Sequence, residues 1–295
     1  MQQSFHTRMA ENLKQRYTFS GHESFPCKSL WLKKGYDFVV AGKDFNSPDA
    51  VIDLGVGKNM VASIRYWLRV FGICDNEGVT PLGRYLFDEQ EGKDKYLENL
   101  STLWLLHFTI VFNGEATLYN WFFTDFQKGR KPFTREHLIT YVKRRMIGDG
   151  KEKQFNLNTV KRDVGVLMQN YCMPRKIQSH EDFSALLLDL HLLLYREDTK
   201  EYVFNNEGKA TVIPEIFFYG LMTIKGTDNS IPFDTLQELG LIFCMTDLEM
   251  IDMLRLLSER YPDVIHYSDV AGIRQVLITK QVEPRSILDY HYGTV

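Results

Sequence analysis

The chain has 295 residues, 44% of them apolar and 25% charged, with a formal net charge of −3. This is the composition of a globular protein long enough for two or three domains, and the lack of any run of about 18 apolar residues excludes a membrane-spanning helix. Four isolated cysteines without a CxxC pair, histidines without HExxH-type spacing, and an opening "MQQSFHTRMAENLKQRY" without an apolar stretch point to reduced thiols, no zinc site, no secretory signal and a cytoplasmic setting.

In chain order, "FSGHESFPCKSLWLKKGYDFV" comes first. Ser20, His22, Glu23 and Ser24 precede Pro26, which reads as a helix start. His22 supplies a base or a ligand and Glu23 a carboxylate, in a loop beside a helix N-terminus that favours anions. The same residues also suit plain capping.

"SPDAVIDLGVGKNMVASIRYWLRVFGI" follows. Ser47-Pro48-Asp49 starts a short helix to Leu54, which ends at Gly55, and a second helix runs from Lys58 to Phe71. Gly55, Gly57 and Lys58 resemble a phosphate loop only superficially. Position 52 is Ile and Asn59 follows Lys58, so a P-loop fails; position 60 is Met, so a dinucleotide fingerprint fails, and no nucleotide cofactor is expected. At 100° per residue, Met60, Val61, Ile64, Trp67, Leu68 and Phe71 form the packed stripe. Lys58, Arg65 and Arg69 lie opposite, flanked by Asn59, Ala62 and Tyr66. Cations, an amide and a hydroxyl on one face suit phosphates and base edges, and Lys58, Asn59, Arg65, Tyr66 and Arg69 are the candidate DNA contacts. Asp53, on the short helix, is a candidate carboxylate. A turn at Asp75-Asn76-Glu77-Gly78 and a helix in "VTPLGRYLF" complete the order of a winged helix.

"STLWLLHFTIVFNGEATLYNWFFTDF" is apolar almost throughout and reads as two buried helices broken at Asn113-Gly114. Glu115 beside that break either caps it or lines a site. Thr134 caps a helix ending at Gly148, and Asn158 reads as the cap of another through Cys172. Lys128–Lys176 hold 13 Lys/Arg against 4 Asp/Glu. This density makes Lys143, Arg144, Arg145, Lys161 and Arg162 a second candidate surface for a polyanion.

Glu181–Val295 reverse the balance, with 9 Lys/Arg against 19 Asp/Glu. "PFDTLQELGLIF" reads as a helix, Thr246 to Glu249 as a capping box opening another, and "DVIHYSDVAGIRQVLITK" as a hairpin about Val270-Ala271-Gly272. Asp247, Glu249, Asp252 and Glu259 on the second helix suit a protein partner better than phosphates. The expected fold is mainly α, with two or three winged-helix units packed with a helical middle region. The expected domains are 1–95, winged-helix and DNA-binding; 96–180, helical and basic; and 181–295, acidic and winged-helix-like.

The segments at 19–39, 50–73, 79–87 and 155–164 resemble a bacterial family long labelled only as a domain of unknown function, which includes the SspB-type DNA-nicking component of single-strand DNA phosphorothioation systems. The resemblance implies DNA binding, DNA nicking and phage defence. It also implies work beside a cysteine desulfurase, an ATPase and an ATP-pyrophosphatase-like enzyme. It carries no catalytic residue list. The candidates for the chemistry are therefore His22, Glu23, Asp53 and Glu115, with Glu23 the candidate ligand of Mg²⁺ or another divalent metal. Two other readings stay open: a non-catalytic DNA-binding scaffold and a winged-helix transcription regulator.

Overall fold

The computed structural model describes residues 17–129, 132–174, 184–206 and 208–293. The fold is mainly α with small antiparallel sheets. The chain divides into two compact units after Asn205. The first unit runs through positions 95 and 180, where the sequence reading places domain boundaries. Long-range contacts within one core are the physical reason. Thr18 N–H donates to Thr117 Oγ1 at 2.8 Å, and Asn113 Nδ2 donates to the Val70 carbonyl at 2.7 Å.

The first unit begins with helix α1 (Trp31–Val40), α2 (Ala50–Leu54) and α3 (Lys58–Val70). Gly55 ends α2 in the left-handed conformation at φ 61°, as a C-terminal glycine does at low steric cost. Strands β1 (Cys74–Asp75) and β2 (Gly78–Val79) form a minimal hairpin before α4 (Pro81–Phe87). Thr80 caps α4 by accepting from Gly83 N–H, with proline at the first turn.

Helices α5 (Leu100–Phe112) and α6 (Thr117–Thr124) are buried on nearly every face, as their continuous apolar sequence requires. They bring Trp104, Trp121, Phe122 and Phe123 into the core. His107 is fully buried among them and pairs with the Tyr171 hydroxyl at 2.8 Å. Helix α7 (Arg135–Gly148) starts at the Thr134 cap and packs on α8 (Leu157–Tyr171). The cap of α8 is Asn156, whose side chain accepts from Thr159 N–H at 3.0 Å; Asn158 lies two residues later, inside the first turn, and is exposed. Strands β3 (Leu193–Arg196) and β4 (Glu201–Phe204) form a hairpin that reaches Phe133 through a bridge from Tyr202.

The second unit contains α9 (Pro214–Lys225), β5 (Ser230–Pro232), α10 (Phe233–Ile242), α11 (Asp247–Arg260), β6 (Ile265–Val270), β7 (Ile273–Ile278) and α12 (Pro284–Tyr292). Its sheet has the order β5-β7-β6, all antiparallel. Ala271 and Gly272 both take positive φ, the twist a two-residue hairpin turn needs. Phe217 of α9 packs on Phe243 at the end of α10, and Phe218 packs on Tyr261 at the end of α11, all in the core except Tyr261.

The Thr246 capping box is present, and it ties down more than its own helix. Glu249 accepts from Thr246 N–H at 2.9 Å and from Lys209 N–H at 3.1 Å, so it is not the freely exposed acid that its place on α11 implied. Partial burial pushes its carboxyl pKa up, but these N–H donors and the Thr246 hydroxyl outweigh that and hold it below the usual range. A depressed native pKa stabilises the fold above the unfolded carboxylate pKa, and that contribution is lost as pH falls through the native value. Glu249→Ala should cost about 1 kcal/mol at neutral pH. Amide exchange in α11 should rise in the variant, and the difference from the native chain should shrink in acid. Equal exchange at neutral pH would show that the box is not contributing.

A strained loop beside a cationic helix face

Residues 19–25 pass between α3 and α8. Pro26 does not open a helix, because the following N–H groups are taken by distant chain. Cys27 N–H donates to Asn170 Oδ1 at 3.1 Å, Lys28 bridges Ala185, and Ser29 N–H donates to the Ser184 carbonyl. The first helix of the described chain therefore waits until Trp31.

Four of five consecutive residues in the loop have positive φ: Ser20 at 71°, Gly21 at 104°, Glu23 at 46° and Ser24 at 67°. Such non-glycine geometry costs about 1–3 kcal/mol per residue and persists only where surrounding contacts enforce it. Asp163, on α8 and 5% exposed, supplies much of that enforcement. Its Oδ2 accepts from Ser20 N–H at 2.8 Å and its Oδ1 pairs with His22 Nε2 at 2.9 Å. Ser24 N–H donates to His22 Nδ1 at 3.1 Å, so the proton of the neutral ring sits on Nε2 and is donated to Asp163. From the other side, Ser63 of α3 donates its hydroxyl to the His22 carbonyl at 3.0 Å, and Trp67 Nε1 donates to the Phe25 carbonyl at 3.2 Å. Gly21 lies flat on the Tyr66 ring; a Cβ there would fall 2.5 Å from a ring carbon.

His22 is therefore 3% exposed, with both ring nitrogens engaged by protein groups. Glu23, the next residue, is exposed and turns towards an open groove of about 1300 Å³. The groove runs along α3. Lys58, Asn59, Ala62, Arg65 and Arg69 line it as the exposed stripe of that helix. Tyr66 also touches the groove but is 7% exposed, because the 19–25 loop covers the flank it occupies. Burial, chiefly, and the negative charge of Asp163 push its phenol pKa well above the ordinary range. Arg65 donates to Asn46 Oδ1 at 3.1 Å, and Asn46 is itself fixed by Asp44.

The remaining candidates are spread out. Asp53 pairs with Lys43 at 2.8 Å. Glu115 pairs with Arg69 at 3.4 Å, while Asn113 caps the helix break by accepting from Glu115 N–H at 3.0 Å. Lys143, Arg144, Lys161 and Arg162 are exposed on the packed pair α7 and α8. Arg145 is only half-exposed. It pairs with Asp125 at 2.6 Å and lies 4.8 Å from the centre of the Trp121 ring, a structural anchor. The structure thus brings His22, Glu23 and the α3 cations together, joins Glu115 to that stripe through Arg69, and leaves Asp53 and Arg145 paired with Lys43 and Asp125. Asp163 was not among the sequence candidates. Its signal was a carboxylate on the packed face of α8, between Val160 and Val164.

Among the described residues, no three His, Cys, Asp or Glu side chains converge to hold a metal ion. Glu23 offers a single exposed carboxylate at the groove, a donor set that suits a divalent ion shared with substrate phosphates and not a closed protein cage. All four cysteines are buried, and burial, followed by Asp75, pushes the Cys74 thiol up to about 11, away from nucleophilic use. No helix among the described residues is long and apolar enough to cross a membrane.

Two crystal structures share this fold, one of SspB and one of magnesium ion-bound SspB. Each aligns with a TM-score of 0.81 at 24% identity, over 94% of this chain and 88% of the other. No curated protein matches the sequence. The family model described as "Protein of unknown function (DUF4007)" matches residues 19–292. With nearly the whole chain matched and the fold shared with SspB, the protein belongs to this family.

Proposed function

We propose that the chain binds and nicks DNA as a component of a phosphorothioation system, with the duplex seated along α3. The observation that carries this reading is the groove: a stripe of Lys58, Arg65 and Arg69 forms one wall, and the strained loop with Glu23 contributes to another. In this reading α2, α3 and the β1–β2 hairpin act as a winged helix-turn-helix. The cations take phosphates, and Asn59 reaches base edges. Lys143, Arg144, Lys161 and Arg162 extend the contact to backbone further along the duplex.

His22 and Asp163 position the loop, and Glu23 is the group left to act on the reacting phosphate or its water. Glu23 is also the carboxylate that would hold a divalent ion such as Mg²⁺, which one or two carboxylates and the substrate phosphates commonly bind together, and the ion would supply charge stabilisation at the reacting phosphate. The acidic second unit serves protein contacts, through Asp247, Asp252 and Glu259. The partner classes are the cysteine desulfurase, the ATPase and the ATP-pyrophosphatase-like enzyme implied by the resemblance to the phosphorothioation family.

Binding should weaken steeply with salt, the logarithm of the affinity falling by about 0.9 per phosphate neutralised for each log unit of salt. Arg65→Ala should flatten that slope by about one unit. Fluorescence anisotropy of a labelled duplex over about 50–200 mM salt measures both. Affinity indifferent to salt, or an unchanged slope in the variant, would remove α3 from the interface. Tight binding with no nicking of supercoiled plasmid, with or without Mg²⁺, would favour a scaffold instead.

A further inference from the structure

A second cavity, of about 400 Å³, lies on the other side of the same loop. Glu23 lines the groove and Ser24 the cavity; on α3, Asn59 lines the groove and Met60 the cavity. Neighbouring residues thus face two different spaces, and the loop is the wall between them. The volume falls within the roughly 300–1,000 Å³ of small-molecule pockets.

The chemistry of its lining is specific. Met60 and Met173 present thioethers and Tyr195 a ring, while buried Met168 and Tyr202, the latter in edge contact with Tyr195 at 5.0 Å, close the cavity behind them. Thioethers and phenols are the side chains that stack on flat aromatic surfaces. Gln169 adds an amide, which can pair with a base edge. The only charges among its described lining residues are cationic, Lys28 and Arg135. Arg135 Nε donates to the Tyr202 hydroxyl at 3.2 Å, and the guanidinium carbon sits 5.9 Å from the centre of that ring. An aromatic-and-thioether pocket whose described rim carries only cations fits a planar base carrying a phosphate.

We infer that this cavity receives a single nucleotide extruded from the DNA lying along α3. The inference rests on the DNA-binding reading above. The base inserts among the methionines and tyrosines, Gln169 meets its edge, and Arg135 and Lys28 meet its phosphate. Extrusion would open the backbone beside the loop that carries Glu23. A partner's aromatic side chain is the competing occupant.

The test compares a fully paired duplex with the same duplex carrying one mismatched pair, because an unpaired base is cheaper to extrude. The native chain should bind the mismatched duplex about tenfold more tightly. Tyr195→Ala and Gln169→Ala should each erase that preference while binding the paired duplex within about threefold of the native affinity. Gln169 is exposed on α8, so its variant keeps the core intact if Tyr195→Ala fails to fold. A free deoxynucleoside monophosphate at the same concentration should not compete. Binding of the paired duplex without a mismatch preference, or a preference that both variants retain, overturns the cavity assignment and leaves the groove standing. Competition by the free monophosphate overturns extrusion from DNA, and no duplex binding at all removes both readings.

Discussion

Asp163→Ala should destabilise the first unit by about 4 kcal/mol, because it leaves two buried donors without their acceptor. The donors are Ser20 N–H and His22 Nε2–H, held at 2.8 and 2.9 Å. Their loss also releases the constraint that keeps four positive-φ residues in place. Against a typical total of about 5–15 kcal/mol, this is a large share of the folding free energy. Asp163→Asn keeps the size and one acceptor, and should cost roughly half as much. Trp31, Trp67, Trp104 and Trp121 all lie in the first unit, so tryptophan fluorescence during urea unfolding reports on that unit alone. A loss below about 1 kcal/mol for Asp163→Ala would mean that the loop is held by α3 and not by the carboxylate.

Glu23→Gln should lower plasmid nicking about a hundredfold or more while leaving duplex affinity and thermal stability near native values, the scale of losing a positioned acid or base. The expectation of unchanged stability follows from its exposure; the residue that anchors the loop is its neighbour. His22→Ala is the useful contrast. It removes a buried ring bonded to Asp163 and Ser24, so stability falls first and nicking falls with the folded fraction. If Glu23→Gln nicks at the native rate, the groove holds DNA without performing chemistry at this loop. If it loses binding and nicking together, Glu23 shapes the DNA surface and does not act on the reacting phosphate.

Much of the local structure was legible. Gly55, Thr134 and Thr246 mark helix ends by steric freedom or by a hydroxyl within reach of an N–H, and each mark holds. These signals act over three or four residues, so they survive without knowledge of the rest of the chain. The hairpin at Ala271-Gly272 is of the same kind. The exposed cations of α3 were legible too, because a strong 3.6-residue apolar period leaves only one face for charge.

Other features depended on what packs against what. Tyr66 sits at the edge of the apolar stripe of α3, and periodicity alone could not assign it to solvent or core. The loop at 19–25, about forty residues earlier, covers that edge and buries it. Pro26 carries the local mark of a helix start, yet Asn170 and Ser184 accept the Cys27 and Ser29 N–H groups and Leu186 N–H takes the Cys27 carbonyl, which commits this backbone to distant chain. His22 and Glu23 look equivalent in sequence. Asp163, 141 residues from His22, makes one an anchor and leaves the other exposed at the groove. The sequence by itself determined the mainly α character, the helix ends and the cationic stripe, because each follows from short-range sterics, capping and periodicity. Only the tertiary structure decided which polar residues of the loop are buried and which are available, because burial and hydrogen-bond satisfaction depend on partners distant in the chain.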